Sequence, residues 1–203
     1  MATIKILIEG YAKKLGRDWI ASSTVCLVTL AGPDASVGAG KKIITDPGCN
    51  RVKLLDALKK EGLKTGDIDY VFLSHHHPDH SLLAGIFENA KSVTYDSNLI
   101  YDGDSLVEFK PNSLGEGIEI LQTPGHVLEH ISLLVDTVDG KVAIAGDVIW
   151  WLDDEEQKFK IDQYDHSQAK GMNMETLIES RKKLIEHADY IIPGHGKMFK
   201  VEK

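Results

Sequence analysis

The sequence is poor in the features that mark membrane, secreted and polyanion-coating proteins. No apolar run approaches the roughly 18–20 residues that a membrane helix needs. The opening MATIKILIEGYA alternates, with Ile4, Ile6 and Ile8 on one face, and lacks the basic start, long apolar stretch and cleavage site of a secretory leader. Cysteine is scarce: Cys26 and Cys49 stand alone, outside any CxxC pair, so two reduced thiols in a cytoplasmic protein are the expectation. Positive charge is in deficit, with 23 Lys and Arg against 31 Asp and Glu and a formal net charge of −8. That weakens any case for sequence-independent binding along a phosphate backbone, which needs a basic face. Repeats and low-complexity linkers are missing as well. What is present is 203 residues, 27% charged and 42% hydrophobic, enough for a single domain over residues 1–203 with a real core and no membrane partner.

Alternation and breakers place the elements. Strands are expected at 3–9, about 19–30 and 41–46, with AGPDASVGAGK (31–41) between the last two. The glycines of that stretch miss the spacing of a phosphate-binding loop and join two strands, so it reads as a hairpin loop. Asn50 is placed to cap a helix carrying Val52, Leu55 and Leu58 on its apolar face and closed by Gly62. DYVFLS (69–74) is a short buried strand, and a helix starts near Asp79. Further strands fall at 91–95, 117–122, 131–136 and 141–146. NMETLIESRKKLIEH is an amphipathic helix capped by Asn173, with Met174, Leu177, Ile178, Leu184 and Ile185 as its stripe. Two batches of strands, each followed by a helix, suit two sheets packed face to face with helices outside, a layered α/β arrangement.

The chemistry concentrates in SHHHPDH (74–80), where four histidines and an aspartate follow an apolar strand directly. Pro78 stiffens the turn, and Asp79 adds a carboxylate to the imidazoles, a mixed set that suits zinc. Three other apolar strands end the same way: ILQTPGH at His126, VAIAGD at Asp147 and DYIIPGH at His195. In each, a glycine precedes the polar residue and lets the backbone turn sharply and approach closely. Four strand-end groups of this kind point to a metal site assembled from distant parts of the chain. His76, between His75 and His77, is turned away from them by period-2 geometry.

The pattern His75-x-His77-x-Asp79-His80, then TPGH ending at 126, AGD ending at 147 and PGHG at 193–196, with IITDPG at 43–48 as the leading block, resembles the metallo-beta-lactamase fold superfamily. Within it, GRDW (16–19) and RKKLIEHADYIIPGHGKMFKV (181–201) are similar to the short metallo-beta-lactamase-domain-containing protein 1 group. The resemblance implies a four-layer αββα sandwich with the metals at one edge between the sheets. It implies His75, His77 and His126 as ligands of one ion, Asp79, His80 and His195 as ligands of the other, and Asp147 as the bridge. Asp46 is then expected to support a ligand from behind, and His130 either to line the pocket or to do the same. His166 has no clear role, and His187 reads as a surface residue.

Such a site implies two Zn²⁺ ions, with iron or manganese as the other metals suited to imidazole. The resemblance implies a dinuclear-zinc hydrolase whose bridging hydroxide attacks an ester, lactone, thioester or phosphodiester, with Asp79 orienting the nucleophile and moving a proton. The alternatives are a metal-dependent ribonuclease with RNA as substrate and, behind it, a mononuclear-iron oxidoreductase similar to persulfide dioxygenases. His80 and Asp147 stand where the best-known beta-lactamases have other residues, which argues against antibiotic hydrolysis. Only eight residues follow His195, against a glyoxalase-II-type thioesterase, and 47 separate Asp147 from His195, against an inserted nuclease domain. Within that interval Trp150 and Trp151 are candidates for a substrate wall. DDEE (153–156) reads as a solvated turn. Lys13, Lys14, Arg17, Lys197 and Lys200 are the basic residues that an RNA reading would use.

Overall fold

Alternate residues of the central strands face different neighbours, and this sorts the apolar side chains into three layers. The computed structural model describes residues 1–30, 40–93, 99–108 and 114–202. Its strands are β1 Thr3–Ile8, β2 Tyr11–Leu15, β3 Asp18–Ser22, β4 Val25–Thr29, β5 Lys42–Thr45, β6 Tyr70–Phe72, β7 Lys91–Val93, β8 Leu99–Asp102, β9 Ser105–Glu108, β10 Ile118–Gln122, β11 Ile131–Thr137, β12 Gly140–Gly146, β13 Tyr190–Pro193 and β14 Phe199–Lys200. The helices are α1 Arg51–Lys60, α2 Pro78–Ser81 and α3 Met174–His187. One sheet has the order β1-β4-β5-β6-β7-β8-β9, a second β10-β11-β12-β13-β14, and β2 and β3 form a separate hairpin.

Cys26 and Val28 of β4, Ile43 of β5 and Phe72 of β6 meet Leu133 and Val135 of β11, Val142 and Ile144 of β12 and Ile192 of β13 between the sheets. The intervening Val25, Leu27, Ile44 and Val71 face outward onto Leu54 and Leu58 of α1. On the far side, Leu134, Ala143, Ala145 and Ile191 pack under Leu177 and Leu184 of α3. Period-2 burial on both faces of both sheets therefore produces the αββα layering that the order of elements implied.

Strand direction then delivers the site. β5 and β6 are parallel, as are β12 and β13, and β10 runs in their direction because two antiparallel steps separate it from β12. The chain thus leaves β10, β12 and β13 at the same end of their sheet, and β5 and β6 at the same end of theirs.

The structure corrects several expectations. The buried residues of α1 are Leu54 and Leu58, while Val52 is 80% exposed. Leu54 and Leu58 are four apart and share a face, and Val52 lies nearly opposite Leu54, so the sheet selected the other of two available stripes. The strand expected over about 19–30 is two strands in different sheets. It breaks at Ser23 and Thr24, whose side chains take backbone partners: Ser23 Oγ donates to Asp46 O, and Thr24 Oγ1 accepts from Gly10 N. The short strands β2, β8, β9 and β14, of two to five residues, escape a search for apolar alternation. The loop expected at 31–41 falls at 31–39 outside the described residues, as do positions 94 and 95 of the strand expected at 91–95. Caps match: Asn50 accepts from Lys53 N and Asn173 from Thr176 N.

Candidate metal centre

The loop after β6 is fixed by Asp46, at the end of β5. Its Oδ1 accepts from Ser74 N at 2.7 Å and its Oδ2 from Ser74 Oγ at 2.6 Å. Asp46 itself has φ +40°, a left-handed conformation that costs energy for a side chain and is held by this buried network. Pro78 then opens α2, whose fixed φ suits a first turn, and brings Asp79 and His80 round behind His77. On the other sheet the approach of strand ends is tight. A side chain at Gly146, which has φ +55°, would sit 2.6 Å from the Ser74 side chain, and one at Gly194 would collide with Asp147 Oδ1.

Ligand-type atoms gather in two groups, His75, His77, His126 and Asp147 in one and Asp79, His80 and His195 in the other, each within 4.8 Å of its fellows. Asp147 reaches both. Its Oδ2 lies 3.5 Å from His126 Nε2 and 3.9 Å from His75 Nε2, and its Oδ1 lies 3.1 Å from His80 Nε2 and 3.5 Å from His195 Nε2. Asp79 Oδ2 stands 3.4 Å from His195 Nε2. The rings of His75 and His80 are 4.2 Å apart at their centroids.

Four of the inward-facing rings have an oxygen partner on their outer nitrogen, Nδ1, whereas His77 turns its Nδ1 inward, 3.0 Å from His126 Nε2. His80 Nδ1 meets Asp46 Oδ2 at 3.0 Å, His126 Nδ1 meets Asp165 Oδ2 at 2.7 Å, and His195 Nδ1 meets Ser22 O at 3.1 Å. These oxygens only accept, so each Nδ1 carries the proton. His75 Nδ1 lies 3.0 Å from Ser74 Oγ, whose own proton goes to Asp46, so the same assignment holds there. In the neutral rings the Nε2 lone pairs therefore point inward, the arrangement of histidines held ready for a cation. His75 Nε2, His80 Nε2 and Asp147 Oδ1 are buried without a hydrogen-bond partner; the 3.1 Å approach of the last two is not aligned as one. Buried polar atoms left bare are costly, and here they are aimed at one another. The residues fit a divalent metal pair.

The titration behaviour follows from the same crowding. Burial holds His75, His77 and His130 below the ordinary imidazole range, with neighbouring rings adding to it. For His80 burial opposes the charge, but Asp147 and Asp46 outweigh it and push the pKa well up. His195 follows the same logic, raised to about 9 by Asp147 and Asp79 against burial. Asp147 is held well below the carboxylate range by His80 and His195 despite its burial. A divalent ion held here would compete with the protons of His80 and His195.

A cavity of about 390 Å³ opens beside the cluster, bounded by Trp19, Ala21, Cys49, Pro78, Trp150 and Ser167 together with His77, Asp79, Asp147 and His195. Of the two tryptophan candidates, Trp150 lines this cavity, with its ring 5.7 Å from that of His195. Trp151 points the other way, packed edge-on against Phe199 under α3, because adjacent residues leave the chain in opposite directions. His130 does not line the cavity. It is buried behind the cluster, where its Nε2 accepts from Asp147 N at 3.1 Å and its Nδ1 meets Thr123 Oγ1 at 2.9 Å. His76 is exposed, His187 bonds Lys183 O on the outside of α3, and His166 pairs with Glu155. Sequence reasoning missed Trp19, Asp165 and Arg181. Trp19 sits on the polar β2–β3 hairpin, and neither Asp165 nor Arg181 ends a strand, so no spacing marked them.

Comparison with known proteins agrees with this fold. Residues 26–98 match the profile of the family described as "Metallo-beta-lactamase superfamily". Metallo-beta-lactamase domain-containing protein 1 of Xenopus laevis is 33% identical over 99% of this chain and 82% of its own length. Its Mus musculus counterpart is 33% identical over 98% and 84%. The crystal structure of a candidate metallo-beta-lactamase from Thermotoga maritima superposes with a TM-score of 0.68 at 23% identity, covering 98% of this chain and 99% of that one.

Proposed function

The chain belongs to the metallo-beta-lactamase superfamily as a metal-dependent hydrolase, and on that premise we propose that it uses two zinc ions to cleave an ester, lactone, thioester or phosphodiester bond in a small substrate. The observation that carries this reading is the convergence of His75 Nε2, His80 Nε2 and Asp147 Oδ1, buried and unpartnered, at the junction of the two ligand groups. Five imidazoles and two carboxylates form a donor set that suits zinc. Bound there, the ions supply Lewis acidity and water acidified to near neutral pH.

The remaining work falls to side chains. His75, His77 and His126 would hold one ion and Asp79, His80 and His195 the other, with Asp147 within reach of both groups. Asp79 is the most exposed of the carboxylates at the cluster and lines the cavity, so it orients the attacking water and carries a proton to the leaving group. Trp19, Ala21, Pro78 and Trp150 offer apolar contact to the part of the substrate that does not react. No Lys or Arg is among the residues lining the cavity, which favours a small substrate held mainly by its apolar part.

A ribonuclease is the second reading, and one observation favours it. The β2–β3 hairpin carries Lys13, Lys14 and Arg17, and Lys14 Nζ lies 5.4 Å from the ring of Trp19 at the cavity mouth. A stacking ring beside cations is what a single strand of RNA requires. Metal analysis and a substrate panel separate the readings. About two equivalents of zinc, and turnover of an ester, lactone, thioester or small phosphodiester that is lost in His75→Ala, are expected. Cleavage of RNA alone transfers the case to the nuclease, and a single iron with oxygen uptake overturns both.

A further inference from the structure

Between β12 and α3 the chain runs without regular structure past the cluster, and Asp165 is its most deeply buried carboxylate, at 1% exposure. Its two oxygens serve different parts of the site. Oδ2 takes His126 Nδ1 at 2.7 Å, while Oδ1 accepts from Trp150 Nε1 at 3.1 Å and from Ser167 N at 3.0 Å. His126 belongs to the first ligand group, and Trp150 is the cavity wall that faces His195 of the second. We propose that Asp165 is a positioning residue that joins the ligand His126 to the substrate wall Trp150, so that metal affinity and the placement of the apolar part of the substrate depend on one carboxylate. The inference rests on the zinc-hydrolase reading.

A purely structural role would not require this residue type. Trp150 and Ser167 each need only an acceptor, which a neutral amide supplies as well as a carboxylate. His126 is the partner that gains from full negative charge. A carboxylate on Nδ1 fixes the proton there, leaves the Nε2 lone pair inward and strengthens it as a ligand. The segment is also tied to the ligand loop by backbone, since Ala169 N donates to His126 O at 2.8 Å and Gln168 Nε2 to Gly125 O at 2.8 Å. Asp165 is thus held in place from both sides of the residue it orients.

Asp165→Asn separates the two duties. The amide oxygen can still accept from Trp150, but the NH₂ group then faces His126 Nδ1. To accept from it the imidazole must move its proton to Nε2, which turns an N–H into the ligand cluster. The experiment is zinc titration against a chromophoric chelator, with parent, Asp165→Asn and Trp150→Phe each shown to be folded by circular dichroism. Asp165→Asn is expected to bind zinc about 10- to 100-fold more weakly. Trp150→Phe should keep parental zinc affinity and instead raise KM for an aryl ester relative to an alkyl ester. Nitrogen NMR of the parent gives a second reading should Asp165→Asn fail to fold: His126 must show a protonated, hydrogen-bonded Nδ1. Equal zinc affinity in Asp165→Asn, or an Nε2–H tautomer in the metal-free parent, overturns the inference. A parent that binds zinc but turns over nothing in the panel overturns the hydrolase reading alone, and a parent that binds no zinc overturns both.

Discussion

Arg181 offers a sharp test of how the segment over the site is held. It lies on α3 within the stripe expected to be apolar, yet it is 2% exposed. Its Nε donates to Val148 O at 2.8 Å, and its Nη1 to Ile161 O at 3.1 Å and Gln163 O at 2.6 Å. One guanidinium therefore ties the start and middle of the stretch that carries Trp150 and Asp165. Arg181→Met keeps the stem and removes the donors. Each hydrogen bond from a charged donor contributes about 1.5–3 kcal/mol, and three carbonyls sharing one group do not add. Against this stands the cost of burying the charge, visible in a pKa pushed down by burial to about 10. The carbonyls left bare decide the balance, because an unpaired buried acceptor costs about 1–3 kcal/mol. A net loss of about 3 kcal/mol is expected. With a urea slope of about 2 kcal/mol/M, the unfolding midpoint falls by roughly 1.5 M. Measurement in chelator keeps metal binding out of the comparison. Arg181→Lys, with a charge but no fork, should fall between. A Met variant with an unchanged or higher midpoint would show that desolvation wins and that these bonds do not hold the segment.

Four further outcomes follow from named groups. The Cys26 thiol is raised by burial to about 12 from 9.0, so its contribution to stability is complete below pH 9 and is lost as pH rises through 12. Between pH 9 and 11 the parent should lose about 2 kcal/mol more than Cys26→Ala; equal losses refute the shift. Thiol labelling should modify one cysteine in the native state, the partly exposed Cys49, and both after unfolding. Gly194→Ala forces Asp147 Oδ1 aside and should weaken zinc binding by about 10-fold or more, measured by chelator competition; parental affinity would mean that Asp147 is not a ligand. Zinc binding should release protons from His80 and His195 at pH 7.5, and the release should shrink as pH rises through about 9, where His195 has already lost its own. Calorimetry in buffers of different ionisation enthalpy reads this number, and a release independent of pH contradicts the assignment.

The layers and the cluster were legible for one physical reason. Core strands alternate on two apolar faces, so β4, β5, β11 and β12 announce themselves, and a polar residue placed straight after such a strand must emerge at the sheet edge. His75, His126, Asp147 and His195 were visible on that logic, and the structure brings them together. The short strands β2, β8 and β9 were not, because four or five positions show no clear period and β9 is exposed along its whole length. The face of α1 was misread because Val52, Leu54, Leu55 and Leu58 offer two stripes, and only the position of the sheet chooses between them.

The residues behind the ligands share another property. Asp46, Asp165 and His130 act on ligands from behind, and a carboxylate does so at any sequence distance that folding allows. Asp46 and His130 were anticipated through the resemblance, and both are buried behind the cluster. Asp165 lies 39 positions from His126, inside a stretch with no period to read, and Arg181 lies 33 from Val148, a charge set within the apolar stripe of α3. Burial distinguishes them from surface charges. Asp46, Asp147 and Asp165 are all at most 3% exposed, and each meets an imidazole or a fixed donor. A fold does not retire three carboxylates from water without cations or donors waiting for them. The inward nitrogens of His80 and His126 are matched on their outer sides by Asp46 and Asp165, so two of the rings are oriented by acids that also balance the charge of the centre. Strand ends decide which side chains meet, and the buried acids behind them decide which atom each one presents.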